Sequence, residues 1–575
     1  MLTSGNGHNE KEHIAYFTME IGISHRIPTY SGGLGVLAGD VIKSYADIKV
    51  PVVGVTMLNE KGYFYQNIDA DGNQTETPVQ WNVSDFMVLM PNQVNVDIGE
   101  RKVIVRAWKH TIRGITGNNI QVYFLDTNIE GNSDYDRTLT SYLYGGDRAY
   151  RLAQEIVLGI GGVRMLESLG YNDIKKYHMN EGHAALLTVE LLKRTYHDAD
   201  SEEHCYDIDA VREKCVFTSH TPVEAGHDKF SLDLFNKLLD GYCPQFVLHK
   251  AVQDDQVNMT LLGLNNSKYI NGVAKRHSEI AREMFPQYRI DSITNGVHPA
   301  SWTSQPFKDL FDSEIPGWAL DPFSLRYALS IQKDKIWNAH MDAKRILIEE
   351  VNQKTSAGFS QDRFTIGFAR RFTAYKRPDL LIHDVEWLKA IADRVGDIQI
   401  VFAGKAHPQD YAGKDLIKRI IHTARWINSQ NCHVKMEFLE QYDMRLSKIM
   451  TSGCDLWLNT PQRPYEASGT SGMKAALNGV PQLSTLDGWW LEGHIENVTG
   501  WSIGAHPHDP DFTRDTDETK DAADLYGKLE QQIIPTFYGN RDKWTEIMRH
   551  CIAINASFFN SVRMAEQYVT NAYLD

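Results

Sequence analysis

The chain has 575 residues, of which 42% are hydrophobic and 23% charged, a composition typical of a globular protein too long for one compact core. Its net charge of −15 disfavours a nucleic-acid partner, and no segment has the apolar length that a membrane helix needs. Residues 1–13 are polar, so we expect no secretory signal there, and the six cysteines lack C-x-x-C spacing, which favours free thiols in the cytoplasm.

Short apolar runs alternate with helical patterns along the chain, which predicts parallel strands joined by helices. The strand candidates form two series: residues 14–17, 52–55, 122–125, 177–179 and 216–218, then residues 364–368, 398–402, 434–438, 455–458 and 482–484. A long helical segment lies between them, within residues 299–358, and residues 506–519 resemble a surface loop. We therefore predict an α/β protein of two doubly wound, Rossmann-like domains, residues 1–300 and 301–575, facing each other across a cleft, with a last helix that can cross back.

A glycine-rich turn, Tyr30-Ser-Gly32-Gly33-Leu-Gly35, precedes the first predicted helix. Such a turn lets backbone N–H groups approach a phosphate, although many strand–helix turns are glycine-rich without binding one. Two later segments, residues 178–183 and 218–227, place histidines after predicted strands. Their H-x₄-H and H-x₆-H spacings are poor for a metal, so we expect no metal site, and a structural role is the alternative for each histidine.

Four basic residues lie within eight positions directly after the strand predicted at 364–368: Arg370, Arg371, Lys376 and Arg377. Such a run is usually a solvated surface, but the end of a buried strand would direct it into the cleft. Clustered cations repel one another, and arginine suits phosphate oxygens. Four cations indicate two closely placed phosphates.

The most informative segment is EASGTSGMK, residues 466–474, between a predicted strand and a helix. Its small residues can form an anion site at the helix N-terminus. Lys474 falls in the first turn, where a cation gains nothing from the helix dipole, which indicates a functional role. The alternative is a plain glycine-rich turn with an exposed lysine. The spacing is not that of a Walker A loop.

With these motifs assembled, the sequence resembles the glycogen/starch/maltodextrin phosphorylase family, in its short prokaryotic branch. The resemblance runs in order through AYFTME (15–20), YSGGLGVLAGD (30–40), NEGH (180–183), INGVAKRHS (270–278), TNGVH (294–298), the basic block and EASGTSGMK. It implies a GT-B fold and reversible, retaining phosphorolysis of an α-1,4-glucan or maltodextrin. The reaction would consume inorganic phosphate and release glucose 1-phosphate. Homodimers are common in the family.

The resemblance also implies pyridoxal 5′-phosphate, held covalently on Lys474, whose phosphate takes part in the reaction. Arg370, Thr470, Gly32 and Gly33 would hold that phosphate, and Arg371 and Lys376 the substrate phosphate. The residues expected to contact the glucosyl unit are Asn271, Tyr375, Glu466, Ser468 and Gly469, with His183 facing the bond that breaks. The substrate phosphate would protonate the glycosidic oxygen and then capture the sugar on the same face.

Two features of the chain differ from the longer family members. Arg370 stands where the long enzymes have lysine, and the similarity begins at Ile14, so we expect no control through an N-terminal extension. A sugar-nucleotide transferase of the same fold would place an acid eight residues after Glu466, where this chain has Lys474. A catalytically silent glucan-binding protein on the same scaffold is the other alternative.

Overall fold

The computed structural model describes residues 13–223, 226–509, 512 and 517–574, a mixed α/β structure with two large sheets. The strands of the first part are β1 (His13–Phe17), β2 (Val52–Met57), β3 (Tyr65–Ile68), β4 (Gln74–Thr77), β5 (Val88–Ile98), β6 (Arg101–Arg113), β7 (Asn119–Asp126), β8 (Ile174–Asn180), β9 (Cys215–Thr218), β10 (Lys229–Ser231), β11 (Val252–Gln253), β12 (Gln256–Asn258), β13 (Tyr269–Gly272) and β14 (Asp291–Ser292). Nine of them form one sheet in the order β14-β13-β9-β8-β1-β2-β7-β6-β5. The strands from β14 to β7 are parallel, and β6 and β5 extend the edge as an antiparallel pair.

The second sheet contains six parallel strands: β15 (Phe364–Ala369), β16 (Ile398–Ala403), β17 (Val434–Leu439), β18 (Leu456–Asn459), β19 (Gln482–Thr485) and β20 (Gly500–Ile503). Their order, β17-β16-β15-β18-β19-β20, reverses direction between β15 and β18. In open parallel sheets ligands bind at such a reversal, beyond the carboxyl ends of the strands. The first sheet has the corresponding reversal between β1 and β8.

Helices cover both sheets and connect their strands. In chain order they are α1 (Gly33–Asp47), α2 (Asp134–Arg137), α3 (Arg148–Ile156), α4 (Gly162–Ser168), α5 (Leu186–Lys193), α6 (Ile208–Lys214), α7 (Leu232–Leu239), α8 (Gln245–Ala251), α9 (Met259–Asn265), α10 (Lys275–Met284), α11 (Pro299–Trp302), α12 (Gln305–Glu314), α13 (Lys333–Thr355), α14 (Val385–Val395), α15 (Tyr411–Ser429), α16 (Met444–Gly453), α17 (Ser471–Leu477), α18 (Trp490–Gly493), α19 (Glu518–Lys528), α20 (Ile534–Gly539), α21 (Arg541–His550) and α22 (Ser561–Tyr568). Side chains cap several of them; Asp443, for example, accepts a hydrogen bond from Leu446 N at the start of α16.

Each strand predicted from its apolar run is present, within one residue at β18 and extended by a few residues elsewhere. These strands read as continuous apolar runs because successive side chains enter different cores. On β1, Phe17 belongs to one core cluster and Tyr16 to another on the opposite face of the sheet. The antiparallel pair β5–β6 was not predicted, since β5 is largely exposed and alternates in burial.

The two parts of the chain are in direct contact. The hairpin β3–β4 donates hydrogen bonds from Gln66 Nε2 to Gly404 O (2.8 Å) and from Gln74 Nε2 to Ala406 O (2.9 Å). Helix α22, from the last residues, packs on α1, where Ser561 Oγ lies 2.6 Å from Ser44 Oγ.

Several other features bear on the sequence predictions. All six cysteines are free, and four of them are buried. Within the residues described, no helix is both long and apolar enough to span a membrane. The predicted loop 506–519 lies partly outside the described residues, and α19 begins at Glu518. Residues 1–12 also lie outside them.

Candidate functional site

A cavity of about 360 Å³ lies where the carboxyl ends of the two sheets meet. Its wall combines the turn before α1, the segment after β15 and the loop between β18 and α17. Except for His183 and Asn271, every residue to which the family resemblance assigns a role lines this cavity: Gly32, Gly33, Arg370, Arg371, Tyr375, Lys376, Glu466, Ser468, Gly469, Thr470 and Lys474. The reversal of strand order in each sheet explains why segments so far apart in sequence meet here.

Glu466 forms the charged centre of the cavity. Its Oε2 accepts hydrogen bonds from Arg370 Nη2 (2.5 Å) and Lys376 Nζ (2.8 Å), which leaves Oε1 for another donor. Burial raises the pKa of this carboxyl, but Arg370 and Lys376 together lower it further, to about 2. Glu466 is therefore ionised at neutral pH and can only accept hydrogen bonds.

A second carboxyl, Asp487, supports the Glu466 loop from behind. It accepts hydrogen bonds from Glu466 N (2.8 Å) and Gly488 N (2.9 Å). Burial raises the pKa of Asp487 to about 7, and the negative charge of Glu466 contributes to the rise. At neutral pH Glu466 is therefore fully ionised and Asp487 only about half ionised, since Glu466 is paired with cations and Asp487 is not.

Lys474 lies in α17 with its amine inside the protein, where only 6% of the residue is exposed. Its Nζ is 3.7 Å from the centroid of the Trp302 ring, close enough for a cation–π contact. Burial lowers the pKa of the amine to about 8, although the charge of Asp40 opposes this. Lys474 is the fourth residue of a seven-residue helix and belongs to the last turn as much as to the first. The helix dipole therefore neither favours nor disfavours a cation at this position.

The loop before α17 is shaped by close packing against buried tryptophans. Gly469 adopts a positive φ of 76°, which favours glycine, and a side chain on Gly472 would overlap Gln482. Trp489 and Trp490 are fully buried and contact each other at 5.2 Å between ring centroids. They fill the core behind the loop.

Arg371 lines the cavity with its guanidinium open to a ligand. Across the described part of the chain, no hydrogen bond or ion pair engages its guanidinium, and Nη2 lies 3.9 Å from the position that a side chain on Gly32 would occupy. Partial desolvation lowers the pKa of Arg371, but Tyr63, Tyr144 and Glu20 together raise it above its ordinary value. This side chain is the one best placed to receive an anion.

The prediction that all four cations of the basic block face the cavity was wrong for Arg377. Its Nη2 pairs with buried Asp521 at 2.8 Å, and its Nε donates to Thr460 O at 3.0 Å. Arg377 has a φ of 43°, a left-handed turn that directs its side chain away from that of Lys376. Arg377 therefore anchors the loop that presents Lys376.

Two predicted site residues lie outside the cavity lining. His183 Nε2 lies 3.3 Å from Asp228 Oδ2. Asn271 is fully buried under α22, where its Nδ2 donates to the hydroxyl of Tyr568 at 3.0 Å and its Oδ1 accepts from Thr218 at 2.9 Å. Both polar atoms of the Asn271 side-chain amide are therefore engaged in hydrogen bonds.

Several cavity residues were not predicted to be functional. His220 and Asn295 lie in motifs that the sequence singled out, and position within the motif could have identified them. Trp302 and Tyr63 lie in segments without any such pattern. Their presence depends on which loops the two sheets bring together, and single-sequence patterns carry little information on this.

Comparison with known proteins supports one family. A family model described as carbohydrate phosphorylase matches residues 242–500. A maltodextrin phosphorylase of Thermococcus litoralis is 37% identical over 98% of this chain and 70% of its own length. A glycogen phosphorylase of Aquifex aeolicus is 33% identical over 98% of this chain and 86% of its own. An uncharacterised protein of Methanocaldococcus jannaschii is 33% identical over 97% of this chain and 99% of its own.

Proposed function

Because this chain belongs to the carbohydrate phosphorylase family, we propose that it is an α-glucan phosphorylase. It transfers a glucosyl unit reversibly, with retention of configuration, between an α-1,4-glucan or maltodextrin and inorganic phosphate, and the product of phosphorolysis is glucose 1-phosphate. The single observation that carries the proposal is the shared cavity: Lys474, Arg371 and the Glu466–Lys376 ion pair all line it.

We further propose that the two sheets belong to two domains in the GT-B arrangement, residues 1–300 and 301–575, with the site in the cleft between them. The reversals of strand order in both sheets and the return of α22 to the first sheet support this arrangement. The protein would act in the cytoplasm, and a homodimer is the assembly to test for.

The cavity fits pyridoxal 5′-phosphate bound through Lys474. A buried amine with a lowered pKa has a larger neutral fraction, the form that reacts with an aldehyde. Arg370 Nε is buried without a hydrogen-bond partner, and the Thr470 side chain makes no capping bond to α17, so both can serve a phosphate. Gly32 is the N-cap residue of α1 and Gly33 its first residue, and the helix N-terminus adds backbone donors.

When bound, the cofactor supplies a phosphate beside that of the substrate. Arg371 and Lys376 would hold the substrate phosphate, where their charges favour its dianion. The negative charge of that dianion would in turn stabilise the positive charge that develops on the sugar. Glu466 Oε1 and the backbone at Ser468 and Gly469 would fix glucosyl hydroxyls, with Tyr375 beside the sugar. The substrate phosphate gives its proton to the glycosidic oxygen and then bonds to the anomeric carbon from the same face. Exclusion of water from the loaded site would limit competing hydrolysis.

His183 and Asn271 would have to change partners or position to take part in this scheme. Asn271 would need to exchange its bond to Tyr568 for one to the sugar. His183 would need to reach the acceptor side of the bond from its present position beside Asp228. Alanine variants of each, assayed for KM with maltodextrin, would show whether either contacts the glucan.

The test is phosphate-dependent release of glucose 1-phosphate from maltodextrin, glycogen, starch and maltose by the purified protein. We expect release only with phosphate, and a pyridoxal absorbance band that borohydride reduces. Lys474→Ala should lose both, whereas Lys520→Ala, at an exposed lysine paired with Asp517, should keep both. Glucosyl transfer from a nucleotide sugar without phosphorolysis would contradict the proposal and favour the transferase alternative. Glucan binding without any turnover would favour a silent scaffold.

A further inference from the structure

Tyr63 is a cavity residue whose hydroxyl lacks a partner. It lies between β2 and the hairpin β3–β4, and its side chain lines the cavity. The hydroxyl is buried, and no group in the described residues forms a hydrogen bond with it. A buried hydroxyl without a hydrogen-bond partner costs about 1–3 kcal/mol of stability. A bound ligand that accepts its hydrogen bond would offset this cost.

Among the charged groups around this hydroxyl, Arg371 has the largest effect on its pKa. Burial raises the pKa of Tyr63 to about 12, and the positive charge of Arg371 opposes the rise. The phenol therefore stays protonated at neutral pH and can donate a hydrogen bond. Arg371 lines the same cavity, is exposed, and has no hydrogen-bond or ion-pair partner within the described ranges, so the cavity wall carries two donor groups that no protein group engages. Two such donors and a positive charge are complementary to an anion with several oxygens.

The position of Tyr63 is set from the second part of the chain. Lys405 Nζ donates to the carbonyl of the next residue, Phe64, at 2.8 Å. The buried side chains of Gln66 and Gln74 bond to the backbone beyond β16, and Gln66 Oε1 accepts from Gln441 N at 3.0 Å. These buried bonds hold the start of the hairpin against the segment that follows β16. Strand β16 pairs with β15, the strand that Arg371 follows. Tyr63 is thus preorganised, which lowers the entropy cost of using it to bind a ligand.

We infer that Tyr63 is a substrate-binding residue whose hydroxyl donates a hydrogen bond to the anion held by Arg371. The anion is inorganic phosphate in one direction of the reaction and the phosphoryl group of glucose 1-phosphate in the other. The inference rests on the proposed phosphorylase function and adds a residue from the first sheet's half to a phosphate site otherwise formed by Arg371 and Lys376.

The test compares Tyr63→Phe with Tyr65→Phe in the cofactor-loaded protein. Tyr65 lies two residues further on, at the start of β3, and is 48% exposed, so its variant makes the same chemical change outside the cavity. We expect Tyr63→Phe to raise KM for phosphate and for glucose 1-phosphate about tenfold, the usual effect of losing one hydrogen bond to a charged group. KM for maltodextrin should stay within about twofold, and Tyr65→Phe should match the wild type on all three.

An unchanged KM for phosphate in Tyr63→Phe would overturn the inference, and so would a rise confined to maltodextrin. A second readout separates this inference from the proposed function: the increase in melting temperature that inorganic phosphate alone produces. If wild type binds phosphate but does not cleave glucan, the proposed function fails, and the phosphate-induced shift still judges Tyr63. A shift lost in Tyr63→Phe and kept in Tyr65→Phe supports the inference; equal shifts in all three proteins overturn it.

Discussion

The lowered pKa of Lys474 makes a quantitative prediction about how the cofactor attaches. The amine moves from an ordinary value of 10.5 to about 8, mainly because burial disfavours the charged form. A shift of this size corresponds to about 3 kcal/mol. At pH 7 about one amine in ten is then neutral, against roughly one in three thousand for an ordinary lysine. Attachment near neutral pH should be faster by a corresponding factor.

The measurement uses protein freed of cofactor, mixed with pyridoxal 5′-phosphate at pH values from about 6 to about 10. Borohydride fixes the adduct at intervals, and peptide mass spectrometry follows the modified Lys474. The rate of labelling should rise with pH and level off near 8, whereas Nα-acetyl-lysine in solution should keep rising to higher pH. A rate at Lys474 that rises in parallel with the free amino acid would refute the argument from burial.

A variant sharpens the same prediction. Asp40 raises the pKa of Lys474, against the effect of burial, and its Oδ2 accepts a hydrogen bond from Trp302 Nε1 at 2.7 Å. Asp40→Asn removes the charge and can keep that bond through its amide oxygen. The labelling midpoint should therefore fall below that of the wild type. A midpoint that rises instead would mean that Asp40 acts on the amine by some route other than its charge.

Three further predictions concern single side chains. Lys376→Ala should keep the cofactor but lose activity by about a hundredfold or more, because a cation at the substrate phosphate is gone; loss of the cofactor too would mean that its role is misassigned. Gly472→Ala should destabilise the protein by about 1–3 kcal/mol, because the added methyl overlaps Gln482. The control Gly527→Ala, with open space around it, should not, and equal melting temperatures for the two variants would contradict the prediction. Tyr568→Phe removes two buried hydrogen bonds and should lower the melting temperature, measured by calorimetry, by a few degrees. An unchanged melting temperature would contradict the stabilising role of α22.

Much of the fold was predictable because buried parallel strands have a simple signature. Runs such as residues 398–402 are apolar except for Gln399, since both faces of β16 are covered. The pair β5–β6 lacks that signature because its exposed residues alternate with buried ones, and the hairpin β3–β4 is almost wholly polar. Its stability comes from hydrogen bonds to residues more than 300 positions away, which no local pattern reveals.

The candidate site divides in the same way. Glu466, Lys474, Arg370 and Lys376 were predictable because unusual residue types cluster beside strand ends. Tyr63 was not, because an isolated tyrosine in a polar segment acquires meaning only from the surface that it packs against. The direction taken by Arg377 depends on one backbone angle and on Asp521, which lies 144 positions later in the sequence.

The return of α22 to the first sheet has a consequence for biosynthesis. Tyr568 and Tyr573 complete the hydrogen bonding of His178, Thr218 and Asn271, which are between 297 and 395 positions earlier in the chain. A ribosome therefore exposes the ends of β8, β9 and β13 long before it delivers the side chains that cover them. During that interval these polar side chains of the nascent first half are uncovered, and water or a chaperone must occupy the place of α22. Final closure of this half is consequently a late event that follows synthesis of the second sheet.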